Sequence, residues 1–424
     1  MILKKILPIV LILFSSFSFS QEQTNKIKLY GFIGNDFTFN SRQNVEMVDG
    51  LVQLFPKPIS LNSSNSDINA AAQAELLSVN TRLGIDITGT PILNAKSSGK
   101  IEADFAGFGT TFYVFRIRQA YMKLNWKNTE LLVGQTWHPL FGSVMPGTFS
   151  INGGAPFQPF NRSPQVRLKQ NLSTTLSATI AALYEMQYAS FGPFSTSATN
   201  VYLKNAMIPD IFVGFENKTT HWITGAGVDF KTIKPDANQI SSLSAVAYTQ
   251  YVKNKFQLKA KTIYGENLSD QLMLGGYGVS KYSADSTKVL SYTNFNNLSA
   301  WINVLYGTKF QIGILAGISQ NLGTNADLAV SSVRKYTNYG YGFYDNSTLN
   351  PKLKSTDASY YDQQILDRLI RIAPEISYNL PNMKFGLEYD FTSASYGKIQ
   401  QNGTVINPYL VNNNRLIASV SYIF

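Results

Sequence analysis

The sequence predicts an all-β protein, a transmembrane up-and-down antiparallel barrel of about 16 strands. Three observations carry this. From Lys26 onward apolar and polar residues alternate with period two, and helical periodicity is scarce. The alternating segments mostly run 8 to 14 residues, matching the roughly 9 to 11 that a tilted strand needs to cross a bilayer. The connections between them alternate short and long, as they do when turns collect at one end of a barrel and loops at the other.

Composition agrees. The 424 residues include no cysteine, 13% aromatic and 15% charged side chains, against roughly 25% charged in soluble domains. Disulfide scaffolds, thiol-ligated metal sites, collagen and disordered chains are excluded. A net charge of +10 would suit nucleic acid if it formed an outer patch, so its placement has to be read before its meaning.

Residues 1–20 read as a secretory signal peptide: Lys4 and Lys5, an apolar run from Ile6 to Phe14, then a Ser/Phe stretch ending at Ser20. The apolar run is too short to span a bilayer as a helix. Residues 21–424 are the expected barrel, with a charge of +8 once Lys4 and Lys5 are gone from the +10.

In chain order the predicted strands are 26–39, 78–88, 99–108, 114–126, 129–136, 163–171, 174–187, 210–217, 222–232, 240–253, 255–266, 295–306, 309–320, 367–379, 383–393 and 414–424. Turns fall at 89–98, 127–128, 172–173, 218–221, 254, 307–308 and 381–382. Long loops fall at 41–77, 138–162, 189–209, 267–294, 321–366 and 394–412, while 109–111 and 233–239 are short. Polar loops of 37 and 46 residues (41–77 and 321–366) would be anomalous in a compact soluble domain.

Alternation also assigns faces. On the last strand Leu416, Ala418, Val420, Tyr422 and Phe424 form the lipid side, and the chain ends on an aromatic, as the assembly signals of outer-membrane barrels do. Trp126, Trp222, Tyr251, Tyr306 and Tyr378 at the short-turn ends suit a headgroup girdle. Arg116, Arg118, Arg167, Lys169, Lys259, Lys261 and Arg371 alternate with apolar residues and are expected inside, opposite Asp86, Glu102, Asp104, Glu388 and Asp390 elsewhere in the lumen. That placement disfavours nucleic acid. The pore-lining candidates are Arg116, Arg118, Arg162, Arg167, Lys169 and Arg371.

The loop at about 138–162 is rich in Pro, Gly and Phe and contains no carboxylate. It is ill suited to solvent and is expected to fold into the barrel as a constriction, with Trp137, His138, Phe141, Phe157 and Phe160 as its candidate residues; the alternative is a packed surface lid.

The runs Phe115-Arg116-Ile117-Arg118-Gln119-Ala120-Tyr121, Val133-Gly134-Gln135-Thr136-Trp137 and Arg162-Ser163-Pro164-Gln165-Val166-Arg167 resemble the DcaP-like trimeric outer-membrane porins. The resemblance is concentrated between about Phe105 and Lys169. It implies a homotrimer passing small anionic solutes such as dicarboxylates, with Arg116, Arg118, Arg162 and Arg167 facing the pore. Members of that family often carry an N-terminal periplasmic coiled coil, whereas here only Gln21 to Asn25 precede the first predicted strand. The Ser-rich leader and Asn-rich loops look like those of Bacteroidota proteins.

No cofactor, metal site or enzymatic activity is expected. The two histidines, His138 and His221, fall at opposite barrel ends without metal-ligand spacing, and no complete hydrolase triad is evident. Gly275-Gly276-Tyr277-Gly278 and Ser98-Gly99-Lys100 read as turns, and the Tyr-rich run Tyr336 to Tyr344 as a flexible outer loop. The expected function is passive diffusion of small hydrophilic solutes, anions favoured, across the bacterial outer membrane, with membrane lipid and a homotrimer as partners. The alternative is a non-conducting accessory barrel docking a surface lipoprotein or a larger outer-membrane secretion, assembly or uptake complex.

Overall fold

A computed structural model describes residues 25–47, 50–107, 114–149, 154–195, 197–331 and 335–424. The expected signal peptide and the short connection at 109–111 lie outside the described residues.

The chain forms a closed 16-strand antiparallel barrel. Its strands are β1 Lys26–Asn40, β2 in two pieces (Gln73–Leu77 and Arg82–Thr88), β3 Lys96–Gly107, β4 Val114–Asn125, β5 Thr129–Trp137, β6 Arg162–Asn171, β7 Leu176–Leu183 and β8 Asp210–Lys218. The second half comprises β9 Trp222–Ile233, β10 Ile240–Lys253, β11 Phe256–Glu266, β12 Val289–Gly307, β13 Phe310–Thr324, β14 Gln363–Asn379, β15 Met383–Ile399 and β16 Val405–Ile423. Each pairs with the next, and β1 closes on β16 from Phe32↔Ile423 to Asn40↔Arg415. The terminal aromatic completes the seam: Gly31 N–H donates to Phe424 O at 3.0 Å and Phe424 N–H donates back at 3.1 Å. Closure leaves no unpaired edge, which lipid would not tolerate.

The faces follow the alternation. Phe115, Ile117, Val166, Leu168, Ile302, Ile312, Ile314, Leu387 and Val420 are exposed outward while Arg116, Arg118, Lys261 and Arg371 turn inward. Trp222 and Tyr251 rest 4.7 Å apart at the short-turn end, and Lys309 sits 5.3 Å over Tyr378, as a headgroup girdle requires.

The strand ends depart from expectation where polarity hides the rhythm. β15 and β16 continue to Ile399 and from Val405, so the long loop expected at 394–412 is a short turn. Beyond the bilayer both faces of a strand can be polar, and the period-two signal fades. β2 is interrupted at 78–81, β7 stops at Leu183, and β12 begins at Val289.

The long loops are themselves folded. Short strands Gly275–Tyr282 and Asn338–Tyr341 pair with one another, so the glycine run is a strand and the Tyr-rich run is ordered. Gly276, at φ +155°, has no room for a side chain: a Cβ would lie 1.8 Å from Tyr339 O. Tyr202 from the helix Val201–Ala206 packs with Tyr277 in a fully buried outer cluster. The first loop sends a hairpin (Asn44–Met47 and Val52–Pro56) into the lumen, where Leu54 and Phe55 are buried and Pro56 O accepts from the Tyr396 hydroxyl at 2.7 Å.

A cation on the outer face should be felt. Ile314→Arg is expected to cost about 2–4 kcal/mol, whereas Gln311→Arg, on the lumen side of the same strand, should cost far less. Urea titration of folding into phosphatidylcholine vesicles checks this, and equal costs would contradict the face assignment.

Candidate functional site in the barrel lumen

The loop between β5 and β6 leaves the wall at Trp137 and crosses the lumen. His138 caps the short helix Pro139–Phe141, its Nδ1 accepting from Leu140 N–H at 3.2 Å. Burial holds the His138 imidazole down to about 3, so it is neutral, and its approach to Asp229 at 3.8 Å is not an ion pair. Gly142 turns the chain at φ +63°, where a Cβ would lie 2.6 Å from the Tyr248 ring.

From there the loop touches one strand after another. The Ser143 hydroxyl donates to Glu216 on β8. Gly147 N–H donates to Asn303 on β12 at 2.9 Å, and Phe149 N–H to Glu388 on β15 at 2.7 Å. On its return Ala155 O accepts from Arg371 on β14 at 3.1 Å, and Gln158 accepts from Lys261 on β11 at 3.0 Å. Phe160 N–H and the Asn161 amide then donate to Gln271 O and Asp270 O, at 2.9 and 2.8 Å.

This loop and the first-loop hairpin share one apolar body. Val52, Leu54 and Phe55 pack with Phe141, Val144, Ala155, Phe157 and Phe160 against Trp301 and Leu315. Arg371 joins the two, donating to Leu54 O at 2.9 Å, Ala155 O at 3.1 Å and Thr392 at 2.9 Å. Lys261 donates to Phe141 O as well as Gln158 and lies 5.1 to 5.8 Å over the rings of Phe141, Tyr248 and Trp301.

The candidate pore-lining cations divide. Arg162 is fully buried, stacked 4.4 Å over Trp137 with Nε donating to Gln187 at 2.6 Å; a solute has no access to it, which corrects the expected pore-facing guanidinium. Arg371 is likewise enclosed and serves the loop carbonyls. Arg116 and Arg118 do not face acids across the lumen: Arg116 meets Asp104 at 2.7 Å, and Arg118 meets Glu102 at 2.9 Å and Asp104 at 2.6 Å, all on the adjoining β3. The expected transverse separation of basic and acidic walls is therefore corrected to local ladders. Lys169 is about one-third exposed, 3.3 Å from Glu216. Arg167 donates to Gln165 at 2.8 Å and to Trp137 O at 2.6 Å.

The candidate loop residues also divide. Trp137, Phe141 and Phe160 form one aromatic cluster, Phe141 stacked on Trp137 at 4.1 Å and Phe160 edge-on to it at 5.1 Å, while Phe157 sits under Arg371. They build the body of the loop, and Trp137 and Phe160 also line the larger of two cavities beside it, Trp137 and His138 the smaller. Its open edge is made by Met145, Pro146, Thr148 and Phe149, which the sequence did not single out. These line a cavity of about 420 Å³ with Arg82, Glu102, Arg118 and Lys384 on the wall. A second cavity, of about 260 Å³, lies against β4 to β10 under Gly142 and Ser143.

The root of the loop rests on a buried charged cluster. Lys231 donates to Asp270 and to Asn267 O, with Glu185, Asp210 and Asp229 nearby and all equally enclosed. Burial, reinforced by Asp270, pushes the Glu185 carboxyl up to about 7. Among the described residues no group of three His, Cys, Asp or Glu is arranged to hold a metal ion.

No family model matches the chain, and no curated protein matches it. Solved structures do resemble it over nearly its whole length. The outer membrane channel DcaP of Acinetobacter baumannii has a TM-score of 0.64 at 18% identity, covering 94% of this chain and 97% of that one. The trimer form of in-vitro folded OmpT, an outer membrane protein of Vibrio cholerae, gives 0.52 at 10%, covering 94% and 99%. The anion-selective porin from Comamonas acidovorans gives 0.51 at 8%, covering 94% and 100%. At these identities the likeness is one of fold. A closed barrel with an apolar belt is a bilayer-spanning architecture, and the DcaP and OmpT chains that share it are outer-membrane proteins; this chain is accordingly a barrel of the bacterial outer membrane.

The Glu185 carboxyl gives a signed expectation. Its value is raised on folding, from roughly 4.3, so the folded arrangement holds a proton that the released one gives up. Docking of this segment is then firmest at low pH and weakens as pH rises from about 4.3 to about 7. Exchange of the Ser190 amide, which donates to Glu185 at 3.0 Å, should show this after correction for intrinsic rates. Glu185→Gln should reduce the dependence, and an unchanged slope would contradict it.

Proposed function

We propose that the protein is a porin through which small hydrophilic solutes diffuse passively, anions ahead of cations. The observation that carries this is the loop at 138–162 crossing the lumen while leaving the cavity of about 420 Å³ between Met145, Pro146, Thr148 and Phe149 and the charged wall. Three cations, Arg82, Arg118 and Lys384, line it with one carboxylate, Glu102, and the loop edge brings no charge. Such a lining raises the local concentration of anions, and the loop sets the size limit. The anion-selective Comamonas porin and the trimeric OmpT, similar in fold, support anion preference and a homotrimer. The leader and Asn-rich loops suit a Bacteroidota source.

The accessory-barrel reading is favoured by a different observation. The outer loops pack into two buried clusters, one around Tyr202 and Tyr277 and one around Phe295, Leu328 and Tyr336, which give another protein a folded surface on which to sit.

Planar-bilayer recording separates the two. The porin reading expects conductance, a reversal potential of anion-selective sign under a salt gradient, and a larger single-channel current after deletion of residues 144–149. Cation selectivity would refute the anion preference, an unchanged current the constriction, and absence of conductance the channel itself.

A further inference from the structure

The two halves of the lumen differ in their contact with water. In the inner half, inward side chains stay wet: Lys123, Lys169 and Asp86 are 28, 36 and 46% exposed. Further out the wall is enclosed. Thr38 on β1, Asp104 on β3, Asp210 on β8, Ser299 on β12, Arg371 on β14 and Arg415 on β16 point inward and are at most 6% exposed. Both cavities reach the inner strand ends, one at Lys384 and Ile423, the other at Lys123 and Glu130.

Between β14 and β3 the outer half is covered by the first-loop hairpin. Leu54 and Phe55 pack with Leu369, Ala373 and Tyr396 of β14 and β15. Leu51 packs with Leu77, Val79 and Ala106 at β2 and β3, so the hairpin reaches across β16 and β1. The larger cavity lies against the same sector, from β15 through β16 and β1 to β4. Among the described residues the two hairpin strands pair only with each other, as a sheet separate from the barrel. Arg42 clasps the base, donating to Lys57 O and Pro58 O at 2.9 Å and to Asp67 at 2.7 Å. The hairpin can therefore leave the lumen as a unit without breaking a bond of the wall ladder, unlike the loop at 138–162, which is fastened to five strands.

We propose that this hairpin, strands Asn44–Met47 and Val52–Pro56, is a gate. Seated, it shuts the larger cavity off from the outer end of the barrel; withdrawn, it joins the two. The proposal rests on the lumen being a solute path. Leu51, Val52, Leu54 and Phe55 are all enclosed in the seated position, and withdrawal returns them to water, which favours the closed form. Openings are then brief. The wall's hold is light: the Arg371 and Tyr396 side chains donate to Leu54 O and Pro56 O, at 2.9 and 2.7 Å.

Planar-bilayer recording of the full chain beside a variant with residues 45–55 replaced by two glycines tests this, both first shown folded by heat-modifiable migration. The unaltered chain should open briefly, and the variant should stay open, its open fraction higher by about tenfold or more. An unaltered chain that is already steadily open, or an open fraction that the replacement leaves unchanged, overturns the gate and leaves the porin reading standing. A silent chain beside a conducting variant keeps the gate and overturns unaided diffusion; silence in both overturns both. A second measurement needs no deletion. The chain has no cysteine, so a single thiol reports on the seated hairpin. On whole cells Leu51→Cys should react with a membrane-impermeant maleimide about tenfold or more slowly than Ile68→Cys, at an exposed position of the same loop. Equal rates overturn the gate.

Discussion

Everything in this molecule depends on closing the backbone ladder. Lipid offers no hydrogen bonds, so a sheet that enters it must leave no edge, and the chain meets that condition by pairing β1 with β16 over nine residue pairs. Closure fixes the rest. It forces each side chain to face either lipid or lumen, and it encloses a space too wide for opposing wall residues to fill alone. What fills that space is then supplied by the loops.

The filling brings its own polar demand. A Pro/Gly/Phe-rich loop inside a barrel carries backbone groups that no regular ladder satisfies, and each must find a partner. The wall provides them from five different strands: Glu216, Asn303, Arg371, Glu388 and Lys261 each bind the loop. Arg371 and Lys261 spend their donors chiefly on carbonyls and amides, so their charge is committed to holding the loop rather than to a passing solute. The same inward cations that look like pore lining in sequence thus do two separate jobs, and burial separates them.

How much was legible follows from this division. The strands were readable because lipid demands an apolar residue at every second position, and the terminal Phe424 marked the closing strand. The inward position of Arg116, Arg118, Arg167 and Arg371 followed from the same rule. What alternation does not encode is contact beyond the strand: that Arg118 pairs with Glu102 and Asp104 next door depends on register, and a register is set by turns and bulges, including the shifts between Glu102 and Ala103 and between Asp104 and Gly107. The hairpin at 44–56 and the strand at 275–282 were hidden for another reason. They lie above or within the barrel, where neither face meets lipid, and so carry no periodic signature. Met145 and Phe149 escaped notice because nothing in their spacing distinguishes the open edge of the loop from its packed body.

The ladders also change what selectivity can mean here. Paired charges on adjoining strands largely cancel at the distance of a solute, so a count of lumen cations overstates the field that solute feels. The effective charge comes from groups whose partners are neutral or absent from their own hydrogen-bond set. Arg167 is such a group, and it sits in the small cavity beside two carboxylates; Arg82, at 3.9 Å from a Glu102 already claimed by Arg118, is nearly such a group in the larger one. One lumen therefore presents two niches divided by a single loop, the larger lined by three cations and one carboxylate and the smaller by three cations and two carboxylates. Selectivity in such a barrel is a property of where the ladders end, not of the total charge along its wall.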